Sequence, residues 1–240
     1  MRGVFLQTVV GCIVWMLTTF FVTFFMVSQT NKRIALLQEN TDETKSKTEE
    51  ISKVTKSYEI NMVHILIAVL FFGVSAICGY SAFKNAVSII AFIELCVCFH
   101  ACMGAAIIDI KLRIIPNYIP LTLIIIRFII FIYELFVQED AVKGFLSSIV
   151  GCFLCGLVLV IADRLSKGGV GAGDTKLIAA IGFISGAYTV ITVMTLALIV
   201  CAIVALVLLL TKKKTVKGDV PFGPFVFIGF ALMILIYAFN

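Results

Sequence analysis

Apolar runs of bilayer length, cut by short polar punctuation, dominate the chain. They cover residues 4–27, 62–83, 86–108, 117–137, 144–162, 175–187, 188–210 and 221–239. About 20 consecutive apolar residues carry a helix across the hydrocarbon layer, so the pattern predicts an all-α polytopic membrane protein of about eight transmembrane helices. The run at 175–187 is short. It is expected to enter at depth behind the glycine-rich stretch "GGVGAGDTKL" (168–177), where irregular backbone is tolerated if protein or a wet cavity surrounds it. Gly182 and Gly186, four apart within it, either admit a close helix neighbour or are simple helix defects.

The one long polar stretch, 29–61, divides the chain into an N-terminal anchor (1–28), a cytoplasmic polar segment (29–61), a second helix (62–85) and a six-helix core (86–240). The first run lacks a small-residue cleavage site, which reads as a retained anchor rather than a signal peptide. Within 29–61, Ile34, Leu37, Ile51, Val54 and Tyr58 fall at helix-like spacings among balanced charges. That pattern fits an amphipathic hairpin or coiled-coil stub, through which copies of the chain could form a homo-oligomer, or equally a solvated linker.

Composition agrees with a lipid solvent: 61% of residues are hydrophobic and 14% charged, and mean hydropathy is +1.13. The net charge of +5 changes the picture through its distribution. Apart from Arg2, Lys84, Arg127 and Lys143, all 19 Lys and Arg lie in the first, third, fifth and seventh connections. Those four connections share one side of an eight-helix threading, which the positive-inside rule makes cytoplasmic. The acidic "QEDAV" (138–142) and both termini then belong outside. Positive charge thus reports orientation in a membrane and gives no reason to expect a nucleic-acid partner.

Two carboxylates stand apart from the solvated acids. Asp109 closes the third run between Ile107, Ile108 and Ile110, and Asp174 follows Gly171-Ala172-Gly173 at the start of the sixth. The threading places both at one membrane face although they are 65 residues apart. Two carboxyl groups close together in a low-dielectric site tend to hold one proton between them, the arrangement by which aspartic proteases activate water and polarise a carbonyl. Gly171 and Gly173 would let the backbone turn sharply and an extended substrate approach. A phosphate cradle fits less well, because the P-loop spacing is missing and Asp174 would repel an anion.

Here the residues carry a family resemblance. "GAGD" at 171–174, Asp109 with "IPN" at 115–117, "GDTKL" at 173–177 and "PFGPF" at 221–225 occur in the order and on the membrane sides that resemble the type IV prepilin peptidases, a group of GxGD intramembrane aspartyl proteases. The resemblance runs from about residue 86 to the C-terminus. Presenilin-like and signal-peptide-peptidase-like enzymes share GxGD but carry Pro-Ala-Leu where this chain has "PFGPF". The resemblance implies an endopeptidase of the cytoplasmic membrane that removes the basic leader of pilin-like precursors after a glycine, at the cytoplasmic face. It makes Asp109 and Asp174 the catalytic pair and assigns Gly171, Gly173, Lys176, Pro221, Gly223 and Pro224 to substrate binding or to shaping the site. For Lys176, marking the inner surface is an equal alternative, and Pro116 and Asn117 read first as the start of the fourth helix. Larger members carry a cysteine-paired zinc insertion associated with N-methylation; 29–61 has no cysteine, so neither a metal nor another cofactor is expected. Cys152 and Cys155 read as packing, and no disulfide is expected.

Glu94, His100 and Arg127 remain inside apolar runs. Counting ~1.5 Å per residue from the inner surface puts Glu94 at ~21 Å and Arg127 at ~15 Å, within reach of a structural ion pair. His100 reads as a hydrogen-bonded core residue. Buried ionisable groups and a broken helix also occur in proton-coupled carriers, but no internal repeat relates the two halves and the aspartates lie at a surface. A non-enzymatic assembly factor keeping the same fold is the third class.

Overall fold

The computed structural model describes Trp15, Gly73 and residues 77–80, 88–166, 169–211 and 221–239. The anchor, the polar segment 29–61 with its oligomer, and most of the second apolar run, on which the count of eight helices depends, lie outside the described residues. What is described is all helical, without strands. Four helices are long and apolar enough to cross a membrane.

Helix α1 (Ile89–Leu112) starts where the Ser88 hydroxyl accepts the Ala91 N–H at 3.2 Å. It runs past Asp109 and stops at Arg113, whose left-handed φ of 52° turns the chain out of the helix. Asp109 therefore sits inside the last turn rather than beyond the helix end. α2 (Tyr118–Val137) and α3 (Ala141–Leu165) form a hairpin around Gln138–Asp140. α3 is apolar on all sides and buries only a stripe, Ala141, Ser148, Gly151, Cys155 and Leu159, while Leu146, Phe153 and Leu157 remain exposed. A helix of that kind meets lipid on its remaining faces.

The short helix expected at 175–187 is instead the first part of α4 (Ala172–Leu210). A straight helix of 39 residues would measure ~58 Å, about twice the hydrocarbon thickness. One residue breaks it: Gly186, at φ 79° and ψ 171°, a conformation open essentially to glycine alone. The two apolar runs of the sequence are thus joined across a single residue. α3 packs against this break. A Cβ on Gly151 would lie 2.7 Å from the Gly182 oxygen, and one on Gly182 would lie 2.6 Å from the Gly151 oxygen, so the two backbones touch directly. Close approach is therefore the role of Gly182, and a change of direction that of Gly186.

α5 (Gly223–Phe239) closes the bundle against α1 and α4, with Gly229 seated on the Val193 and Ala197 backbone. Phe99, Met103, Ile108, Leu123, Leu177, Ile178, Ile181 and Phe230 fill the centre. Trp15 lays its ring on Phe92, Phe99 and His100, so the first apolar run touches α1 at this point.

The Glu94–Arg127 pair exists, with Arg127 Nη1 2.8 Å from Glu94 Oε1. It has two further members. Arg127 Nη2 lies 3.1 Å from Glu134 Oε2, and Arg127 Nε donates to Ser148 Oγ at 3.0 Å. One guanidinium thereby ties α1, α2 and α3 together, using the planar fork that makes arginine suited to several acceptors at once. His100 Nδ1 donates to the Cys96 carbonyl at 2.6 Å within the core.

Candidate active site

The last turn of α1, the first turn of α4 and the first turn of α5 converge at one end of the bundle. Asp109 is buried there, 6% exposed, and its Oδ2 accepts the Gly223 N–H at 2.8 Å. The first N–H groups of a helix have no partner within it, so α5 offers Asp109 a free donor at the positive end of its dipole. Glycine is needed because a Cβ at 223 would sit 3.0 Å from Asp109 Oδ2 and 3.1 Å from its Cβ. Pro224 occupies a first-turn position where a missing N–H costs nothing, and Phe225 and Val226 donate back to the Phe222 carbonyl. Pro221 is half-buried just before the helix.

Asp174 is the third residue of α4, after the N-cap Gly171. Its carboxylate folds back toward Gly171, with Oδ2 lying 2.8 Å from where a Cβ on that residue would stand. Its Oδ1 is buried without a hydrogen-bond partner among the described residues. Gly173 lies against Ile115 in the loop that follows α1, so the two aspartates named by the sequence sit at the same end of the bundle.

The glycines of the GAGD stretch are present for space. Gly171 has φ −67° and ψ 135°, which any residue adopts, so the sharp turn expected there is absent. A Cβ on Gly171 would stand 2.8 Å from Asp174 Oδ2, and one on Gly173 would stand 3.1 Å from the Ile115 Cβ. The first glycine makes room for the carboxylate. The second lets α4 lie against the loop that follows Asp109.

Lys176 is exposed, and its Nζ donates to Asn117 Oδ1 at 3.0 Å. Asn117 starts α2 at its N-cap position, as the sequence suggests, and its side chain makes no cap hydrogen bond there. Two residues escaped the sequence reading. Asp163 Oδ1 accepts the Val170 N–H at 3.3 Å and Ser166 Oγ accepts the Gly169 N–H at 3.1 Å, so the end of α3 holds the loop into Gly171. Their signal was an Asp and a Ser beside a glycine loop, the residue types that bond nearby backbone. Among the described residues no three His, Cys, Asp or Glu side chains gather as a metal cluster, and the described cysteines are free.

These features first define a class: an all-helical membrane protein whose helix ends place two aspartates at one end of the bundle beside a glycine-rich stretch. The model of the type IV leader peptidase family matches residues 95–206, and over that stretch the chain is similar to this family of proteases. The matched stretch contains both Asp109 and Asp174 and ends before Gly223. No curated protein and no solved structure matches the chain.

Proposed function

We propose that the chain is an aspartic endopeptidase in which Asp109 and Asp174 together cleave the basic leader of pilin-like precursors, after a glycine, at the cytoplasmic face of the cell membrane. The observation that carries this reading is the contrast between the paired carboxyls: Asp109 Oδ2 faces an amide donor, whereas Asp174 Oδ1 is buried with none among the described residues. An N–H donor favours the ionised form of the carboxyl that accepts it, whereas burial without a donor favours the neutral form. Asp109 is then the base that takes a proton from the attacking water, and Asp174 the acid that gives its proton to the scissile carbonyl oxygen. On collapse of the tetrahedral intermediate the C–N bond breaks, Asp109 gives its proton to the leaving amine nitrogen, and Asp174 takes one back from the gem-diol hydroxyl that becomes the new carboxyl, which leaves a single proton on the pair.

Orientation rests on the basic connections, and the absence of cysteine in 29–61 supports leader removal without N-methylation. The test is cleavage of a pilin-like precursor, with a basic leader ending in glycine, by membranes carrying the wild-type chain, Asp109→Asn or Asp174→Asn. Trimming by wild type and by neither variant, at equal expression, is expected. Equal trimming by all three would refute the reading.

A further inference from the structure

The two sequence motifs that flank the aspartates interlock. After Arg113 turns the chain out of α1, residues 114–117 pass over the first turn of α4. They touch it twice. Ile115, buried, lies flat on Gly173, where a Cβ would meet its side chain at 3.1 Å and its backbone N and O at 3.5 Å. Asn117 reaches Lys176 across 59 residues of sequence.

Neither partner is employed in the usual way for its position. An asparagine at an N-cap normally accepts an N–H of its own helix, but Asn117 is in the helical region (φ −62°, ψ −21°) and turns its oxygen to Lys176. Lys176 is two residues past Asp174, and at 100° per residue it projects from a different side of α4, where it is exposed. It is in no ion pair among the described residues. Rotation of α4 would strain the Asn117–Lys176 bond, and translation along its axis would drive Gly173 into Ile115. The loop they grip continues directly from the helix that carries Asp109.

We infer that Asn117 and Lys176 are positioning residues, the second point of a clasp with Ile115 and Gly173 that sets the separation of the two aspartates. This rests on the reading of those aspartates as the catalytic pair. Neither residue contacts the substrate. A half-ångström error in such a site costs about tenfold in rate, because misplacement by 1 Å costs about a hundredfold.

A double-mutant cycle on precursor cleavage tests it, with Lys176→Met, Asn117→Ala, both together, and Asn117→Asp. Each single change should lower kcat about tenfold with KM unchanged, the double variant should be no worse than either, and Asn117→Asp, which keeps the acceptor, should restore the rate. Wild-type kcat in Asn117→Ala beside a raised KM in Lys176→Met would overturn the proposal, since Lys176 would then be touching substrate. Additive losses would overturn it too. If the wild-type chain trims no precursor, the peptidase reading falls, yet the clasp is still decided by the same cycle on melting temperature in detergent: coupled shifts support it and additive shifts sink it.

Discussion

Gly171→Ala separates the fold from the chemistry, because a methyl group there meets almost nothing except one carboxylate. The added Cβ would lie 2.8 Å from Asp174 Oδ2 and 3.7 Å from its Cγ, with no other group within 4 Å outside the adjoining residues. Restoring an ordinary carbon–oxygen contact of about 3.3 Å moves that oxygen by about 0.5 Å, and on a scale of about a hundredfold per ångström kcat should fall about tenfold. The backbone does not resist: φ −67° and ψ 135° suit alanine, and replacing glycine at a compatible site contributes ~0.4–1 kcal/mol by restricting the unfolded chain. That gain offsets the local displacement of the Asp174 carboxylate, so melting temperature should be unchanged or slightly raised. The assay is the initial rate of leader removal at saturating precursor, with thermal unfolding of the same purified protein. Full kcat in the alanine variant would refute the assignment of Asp174 to the reacting pair. A collapse in melting temperature would refute the claim that Gly171 serves the carboxylate rather than the fold.

Gly223→Pro deletes the amide that holds Asp109 and adds a Cβ 3.0 Å from its Oδ2, and since a hydrogen bond to a charged group is worth ~1.5–3 kcal/mol, leader removal should slow by at least about 10- to 100-fold at matched expression; wild-type rates would show that neither this amide nor the space beside it orients Asp109. Gly151→Ala would press its Cβ on the backbone of Gly182, Gly186 and Ala187 at 2.7–2.9 Å, and overpacking of this kind should cost ~1–3 kcal/mol in denaturant unfolding without changing the aspartates. Arg127→Met leaves buried Glu134 and half-buried Glu94 without their shared cation, so loss of ~3–5 kcal/mol and a fall in membrane-extracted folded protein are expected; an unchanged yield and melting point would mean that the cluster is not holding α1–α3 together.

Much of this architecture follows from one-dimensional information. Hydropathy determines which segments are helical in lipid, and helix rise converts residue number into depth. That is enough to bring Asp109 and Asp174 to one end and to place Glu94 within reach of Arg127. The same information suggested a boundary near 187, which the structure realises as the break at Gly186. Depth says nothing about which side of a helix faces which neighbour. Glu134 joins Arg127 because it lies seven residues on, two turns along the same face, and that face happens to look toward α1 and α3.

Backbone donors leave even less trace in a sequence. The Gly223 N–H on Asp109 exists because α5 ends its approach against the last turn of α1, and glycine at 223 only permits it. Gly171 and Gly173 are legible as unusual residues, but their reason is steric and lies in Asp174 and Ile115, whereas an isolated chain would suggest conformational freedom. Asn117 similarly reads as a helix cap until Lys176 is placed beside it. The sequence by itself determined the solvent, the helices and the two carboxylates, because hydrophobicity and periodicity are local. Only the tertiary structure decided their partners, because close approach depends on the relative rotation and packing of helices that are distant along the chain.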